Sequence, residues 1–325
     1  MDALSEMLRA ITLDSAVYFN AEFTEPWCVT SPEGCALSPA MSSDAAHVII
    51  YHLLCEGTAY VVVDGKRVEL GAGDLIAFPH GDEHLLGSGR SVAPVLASAV
   101  LPEVLERGLE LLRMGGGGRV ARFICGFLVA DRQLSQAFLG GLPRLIRVNI
   151  RTDPSGQWLE NSLRFAVSEA ADRKTGAHAM VTKLSEVVFA ETLRRFVNQL
   201  PEGQTGWLAG ARDGEVGKAL TLLHLRPAHP WTVAELAREA GVSRTVLAER
   251  FRHFLGEAPM AYLTQWRLRL GARALVTTNR GVAQIAIEVG YESESAFNRA
   301  FKRAYGLPPA RYRRDKSASR SAASA

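Results

Sequence analysis

WTVAELAREAGVSRTVLAERFRHFLGEAPMAY, residues 231–262, and GVAQIAIEVGYESESAFNRAFKRAYGLPPARY, residues 281–312, are two imperfect copies of one pattern. Val233, Ala234, Leu236, Ala237 and Gly241 match Val282, Ala283, Ile285, Ala286 and Gly290 at an offset of 49. The second copy then gains one residue. Beyond it, Phe251, Gly256, Pro259 and Tyr262 match Phe301, Gly306, Pro309 and Tyr312 at an offset of 50. Two copies fall short of the ~3 that a solenoid needs to bury a core, so the repeat predicts two small paired modules.

Each copy predicts helix, tight turn, helix. Thr232 and Glu235 have the spacing of a capping box, and Trp231 can staple onto Leu236. Gly241 and Gly290 stand where a helix ends in a left-handed residue, and Ser243 and Ser293 are N-caps for the helices that follow. In those helices the i,i+4 pairs Leu247/Phe251 and Phe297/Phe301 face the core. Arg244, Thr245, Ala248, Glu249 and Arg252 then face outward in the first module, and Glu294, Ser295, Asn298, Arg299 and Lys302 in the second. A helix-turn-helix sends its second helix into the DNA major groove, where Arg reads guanine and Asn reads adenine. The candidate DNA-contacting residues are Arg244, Thr245, Ala248, Arg252, Ser295, Asn298, Arg299 and Lys302. Arg303, Arg311, Arg313, Arg314 and Lys316 are assigned to phosphates. Between the copies, residues 261–276 keep helical spacing through Tyr262, Trp266, Leu270 and Leu275, a rod of about 24 Å.

Charge supports a polyanionic partner. The 325 residues carry a net charge of +3, but from Val216 onward 18 Lys and Arg face 8 Asp and Glu, giving +10, which leaves −7 for residues 1–215. With 47% hydrophobic and 22% charged residues, composition excludes disordered, collagen-like and coiled-coil classes. No apolar run approaches the ~20 residues of a membrane helix, and MDALSEMLRAITLD lacks the basic start of a secretion signal. Cytoplasmic residence is expected. Cys28, Cys35, Cys55 and Cys125 form no C-x-x-C pair, which predicts free thiols.

The stretch GYESESAFNRAFKRAYGLPPARYR resembles the signature of the AraC/XylS transcription regulators. The resemblance covers roughly residues 216–315 and implies a seven-helix domain that contacts two successive major grooves. Glu249 departs from it, since relatives often carry a basic or amide residue there.

Residues 47–100 predict short strands: HVIIYHLLCEG, TAYVVVDG with its Asp64-Gly65 hairpin turn, KRVELGAG and DLIAFPHGDEH. Gly73-x5-Pro79-x-Gly81-x2-His84 resembles the second motif of the cupin barrels, which implies the sensor barrel of a cupin-fronted branch of the same family. MGGGGR, residues 114–119, is expected as a flexible loop between barrel strands. The predicted fold is thus an α+β multidomain protein, with an N-terminal cupin-like β-barrel and flanking helices, then an all-α double helix-turn-helix domain. The expected boundaries are a sensor and dimerisation domain over 1–200, a linker over 201–215 and the DNA-binding domain over 216–325.

Within the barrel, His52, Glu56 and His84 are the candidate effector-binding residues. Strand alternation puts His52 and Glu56 on one face and His47 on the other. Imidazole and carboxylate also suit a divalent metal such as zinc. Yet the resemblance would place the first motif's carboxylate at Ile50 and its histidine pair at Ser43 and Ala45, so no cofactor is required and hydrogen-bonded histidines are preferred. Cys28 and Cys125 are candidate redox residues, Cys125 being near Arg122, because a neighbouring cation favours thiolate. From His178 to Leu200 a stripe of Val181, Leu184, Val188, Leu193 and Phe196 either covers the barrel or pairs with its twofold copy. The expected protein is no enzyme but a homodimeric transcription activator that answers a small effector. Its partners are promoter or operator duplex DNA and RNA polymerase, with no membrane. A metal-dependent cupin enzyme and a cysteine-based redox regulator are the alternatives.

Overall fold

The computed structural model describes residues 4–5, 13–34, 46–97, 99, 111–131, 142–172, 175–201 and 203–315. Cys35, Ser43, Ala45 and Lys316 lie outside the described residues. The chain divides into two compact units, one spanning Ile11–Gln199 and the other beginning at Leu200.

The first unit holds eleven strands among its described residues: β1 Leu13–Thr24, β2 Trp27–Ser31, β3 Ala46–Glu56, β4 Thr58–Val63, β5 Lys66–Gly71, β6 Asp74–Phe78, β7 His84–Ser88, β8 Val95–Leu96, β9 Leu112–Gly115, β10 Val120–Asp131 and β11 Ile146–Asn149. They form a six-stranded sheet, ordered β11-β6-β3-β10-β1-β9, and a five-stranded sheet, ordered β5-β4-β7-β2-β8. Among the described residues the expected cupin-like domain takes the form of two facing sheets. Alternation explains the core between them. Phe19, Ala21 and Phe23 of β1, Val48, Ile50 and Leu54 of β3, and Phe123, Cys125 and Phe127 of β10 meet Trp27, Ala59, Val61 and Leu86 from the other sheet. Residues of opposite parity, such as Tyr18 and Tyr51, turn to the outer face. There Tyr51 packs against Phe189 of α2 at 6.3 Å between ring centroids. Two helices, α1 Pro154–Asp172 and α2 Ala177–Gln199, carry this outer layer. Val181, Val188 and Leu193 are buried, so the apolar stripe of α2 does cover the sheet.

Two local features refine the sequence reading. The β3–β10 ladder pairs Leu54 with Phe123 but Glu56 with Arg122, so Cys55 is an extra residue in a β-bulge. The glycine stretch is tied down: Gly116 N and Gly118 N donate to Thr24 O and Glu25 O, and Gly117 N to Thr24 Oγ1, at 2.8–2.9 Å. Its lack of side chains serves close approach, because a Cβ on Gly115 would lie 2.0 Å from Thr24 O.

The second unit is helical. α3 Trp207–Arg212 lies inside the segment expected as a linker, with Trp207 and Leu208 buried. Then follow α4 Gly214–Leu225, α5 Val233–Ala240, α6 Arg244–Leu255, α7 Pro259–Thr277, α8 Val282–Glu288 and α9 Glu294–Tyr305, with residues 309–315 also helical. From Gly214 onward this gives seven helical stretches, the number the resemblance implies. Thr232 accepts from Glu235 N at 3.1 Å, but the Glu235 carboxylate turns to His229 Nε2 at 3.0 Å, so only half of the capping box forms. Ser243 and Ser293 cap α6 and α9, and Gly241 takes the left-handed conformation at φ 85°. No helix among the described residues is long and apolar enough to cross a membrane.

Candidate functional site

In the second unit, α6 and α9 occupy equivalent places in the two modules. Leu247 and Phe251, like Phe297 and Phe301, are fully buried. The rest of each helix is turned outward by that anchoring. Arg244, Thr245 and Arg252 are exposed with Ala248 half-buried; Ser295, Arg299 and Lys302 are exposed with Asn298 half-buried. All eight candidates thus lie on the two expected faces.

Hydrogen bonds sort the basic residues into two groups. Arg250 is held by Asp213, which also caps α4, and by Glu215 at 3.1 Å. Arg267 donates to Pro227 O and His229 O, each at 2.7 Å. Arg280 pairs with Glu288 at 2.6 Å. Arg313, assigned to phosphate on sequence, instead donates to Leu275 O at 2.9 Å and Arg280 O at 2.5 Å. It satisfies a last-turn carbonyl of α7, a group that the helix itself leaves orphaned. Arg244, Arg252, Arg299 and Lys302 have no ion-pair partner among the described residues. On the two outward faces those four are the cations that no ion pair occupies, and the exposed Arg303 and Arg314 likewise have none among the described residues.

In the first unit, a pocket opens between the sheets, lined by Phe19, Phe23, Val29, Ser31, His52, His84, Leu86, Ala97, Leu112, Cys125 and Phe127. Its polar floor is a chain of three side chains. His52 Nδ1 lies 3.1 Å from Cys125 Sγ, His52 Nε2 lies 3.0 Å from His84 Nε2, and His84 Nδ1 lies 2.8 Å from Asp82 O. A carbonyl only accepts, so His84 Nδ1 carries a proton. Neutral His84 then accepts at Nε2 from His52 Nε2–H, and His52 Nδ1 accepts from the Cys125 thiol. The direction of every bond follows from Asp82 O.

Burial, with a smaller contribution from His84, holds His52 well below the ordinary histidine range, and burial lowers His84 to about 4. Phe78 stacks on His84 at 3.7 Å between centroids. The loop between β6 and β7 positions that ring: Gly81, at φ 67°, packs so tightly that a Cβ would lie 2.6 Å from Val48 O.

Sequence reasoning placed His52 and His84 together but misplaced Glu56. The bulge at Cys55 reverses the alternation, so Glu56 is exposed and pairs with Arg122 outside the pocket. Arg122 also binds Glu22 at 2.9 Å, so it lends no charge to a thiol. Burial pushes the Cys28 and Cys125 thiols up, opposite to the thiolate expected of a redox residue. Cys28 does not line the pocket. Nor do the residues fit a metal. Ile50 is a buried aliphatic, and the ring nitrogens of His52 point to opposite neighbours, so three donors never converge on one point. The described residues hold no group of three or more His, Cys, Asp or Glu arranged around an ion. Ser31 and the three phenylalanines were missed, although the alternation of β1 and β10 carries the signal for the latter.

Comparison with known proteins agrees with both units. A family model described as Cupin matches residues 2–198, and one described as a helix-turn-helix domain matches residues 236–315. A Streptomyces lividans protein named as a putative AraC-like transcription regulator is 36% identical over 85% of this chain and 90% of its own. The HTH-type transcriptional regulator AlkR of Acinetobacter baylyi is 29% identical over 96% of this chain and 99% of its own. An AraC-type DNA-binding regulator structure from Chromobacterium violaceum shares 25% identity, covers 33% of this chain and 96% of its own, and gives a TM-score of 0.32. With a cupin match over more than half its length and AraC-like relatives aligned along most of theirs, the chain belongs to the AraC-like DNA-binding transcription regulators, in the form that carries a cupin-type N-terminal domain.

Proposed function

We propose that the chain is an effector-responsive regulator that inserts α6 and α9 into successive major grooves of one promoter or operator duplex. The observation that carries this reading is the pair of equivalent outward faces whose cations the fold leaves unneutralised. Arg244, Arg252, Arg299 and Asn298 supply base-reading chemistry, and Lys302 supplies phosphate affinity. The pocket between the sheets serves as the effector site, with His52 and His84 as its polar floor. No enzymatic role is assigned, because the polar groups of the floor are turned toward one another.

A homodimer belongs to the same proposal. Trp158 and Phe165 stand seven residues apart on α1, and Met180 and Val187 seven apart on α2, each 46–54% exposed, which supports an apolar face for a second copy. Chromosomal DNA as the ligand carries cytoplasmic residence with it, and activation through RNA polymerase is the mode we attach to it. The test is binding of the full chain to its own upstream DNA by fluorescence anisotropy. Affinity should fall steeply with added salt, since each phosphate contact releases counterions. Binding to no duplex, or binding indifferent to salt, overturns the reading.

A further inference from the structure

Resting on the effector reading above, we propose that the pocket of the first unit selects a compact, electrically neutral and largely apolar molecule, no larger than a substituted single aromatic ring, and rejects carboxylates, phosphates and ammonium compounds of the same size. Among the described residues the lining contains no Asp, Glu, Lys or Arg. An ionic ligand would therefore give up its hydration and meet no opposite charge. The histidines do not supply one. Each ring nitrogen is already committed within the chain from Cys125 to Asp82 O, and burial keeps both rings neutral.

What remains to face a ligand is hydrocarbon. Phe19, Phe23 and Phe127 supply ring surfaces suited to offset or edge-to-face contact with another ring. Ser31, itself buried, offers a hydroxyl to one neutral polar atom. Size is limited as well. The cavity volume is about 50 Å³, against the roughly 150 Å³ that encloses a benzene ring, so even one ring must extend into the opening. Ala97 and Leu112, both half-buried, border the more open side. A single ring seated there buries one end against the histidines and leaves the other near the opening.

The experiment compares four ligands of one size on the full chain: toluene, benzyl alcohol, benzoate and benzylammonium. Differential scanning fluorimetry and isothermal titration calorimetry are the readouts. Toluene and benzyl alcohol should raise the melting temperature in proportion to the logarithm of their concentration above Kd, as a ligand of the native state does. Benzoate and benzylammonium should leave it unchanged at pH 7.5. Ala97→Phe, which fills the opening, should abolish the response to toluene. Leu112→Phe narrows the same opening and gives the same expected result should the first variant not fold. A benzoate or benzylammonium response equal to that of toluene overturns the neutral class. Silence from all four overturns the pocket as a site of this class, and a toluene response intact in both variants overturns its location. Salt-dependent DNA binding by the same preparation tests the regulatory reading separately, so either can fail alone.

Discussion

At the residue scale, two arginines of the second module that look alike in sequence have different work. Arg299 is exposed on α9 and has no ion-pair partner among the described residues, whereas Arg313 binds two backbone carbonyls. Arg299→Ala should cost about 1–3 kcal/mol on the cognate site and relax preference at one base pair, measured by anisotropy on a panel of single-substitution duplexes. Arg313→Ala should lower the thermal midpoint of the second unit, since a buried carbonyl loses a charged donor worth about 1.5–3 kcal/mol, while the salt slope of DNA binding stays the same. A flattened slope with unchanged stability would restore Arg313 to the phosphates. Nothing in the sequence separates these two roles, because a long side chain's hydrogen-bond partner depends on a chain reversal some 38 residues away.

The buried histidines fix the sign of the acid response. His84 lies near 4 and His224 near 3, both lowered chiefly by burial from an ordinary 6.5. His224 sits between Trp266, stacked at 4.0 Å, and the Tyr262 hydroxyl at 2.7 Å. Below pH 6.5 the unfolded chain binds protons that these folded rings refuse, so stability is full above 6.5. It is lost as pH falls from 6.5 toward 4 for His84 and toward 3 for His224. At pH 5 each should cost about 2 kcal/mol. Urea midpoints at pH 7.5 and pH 5 check this; equal midpoints would mean that the rings are not buried neutral.

At the element scale, the second module is held together by the passage of α7 over α9. Leu268, Ala272 and Leu275 of α7 pack with Ile285, Phe297 and Phe301. Gly271 makes that approach close, because a Cβ there would stand 2.7 Å from Phe297 Cζ. Helix propensity alone would have Gly271→Ala stabilise by up to about 1 kcal/mol. Overpacking should reverse the sign and destabilise by about 1–3 kcal/mol, read from thermal unfolding of the full chain. An increase in the midpoint would show that the helices separate at little cost. The helices, their caps and their inward faces were legible because each is set by neighbours within one or two turns. The repeat then supplied a second reading of the same pattern. What alternation could not reveal was the sheet arrangement, since a barrel and two facing sheets bury the same parity of residues. The helix inside the expected linker was not legible for a similar reason: Gly206, Gly210 and Gly214 look like breakers, and only the burial of Trp207 and Leu208 shows why a helix forms between them.

At the scale of the whole molecule, charge and apolar surface divide the labour. The +10 of the last 110 residues belongs to the unit that carries α6 and α9, and the exposed aromatics Trp158 and Phe165 belong to the other. On the homodimer proposal, the unsubstituted chain should sediment as a dimer at micromolar concentration and the chain with Trp158→Glu and Phe165→Glu as a monomer, measured by sedimentation velocity. Salt-dependent binding of a single half-site should survive, because no residue of the reading faces changes. A dimer that withstands both substitutions would move the self-association surface elsewhere.

The bulge in β3 makes the pocket's composition a matter of counting. Up to Leu54 the strand sends every second side chain between the sheets, and Cys55 interrupts the count so that Glu56 meets Arg122 outside. Neither replacing Cys55 nor removing it turns the Glu56 carboxylate inward. Cys55→Ala keeps the phase and should cost no more than a small buried side chain does. Deleting residue 55 would leave a regular ladder in which Leu54 still faces inward opposite Phe123 and Glu56, now its immediate neighbour, still faces outward opposite Arg122. Straightening the bulge with residue 55 kept in the ladder is the change that would carry the Glu56 carboxylate inward, so the bulge, and not the letters of the strand, keeps that charge out of the core.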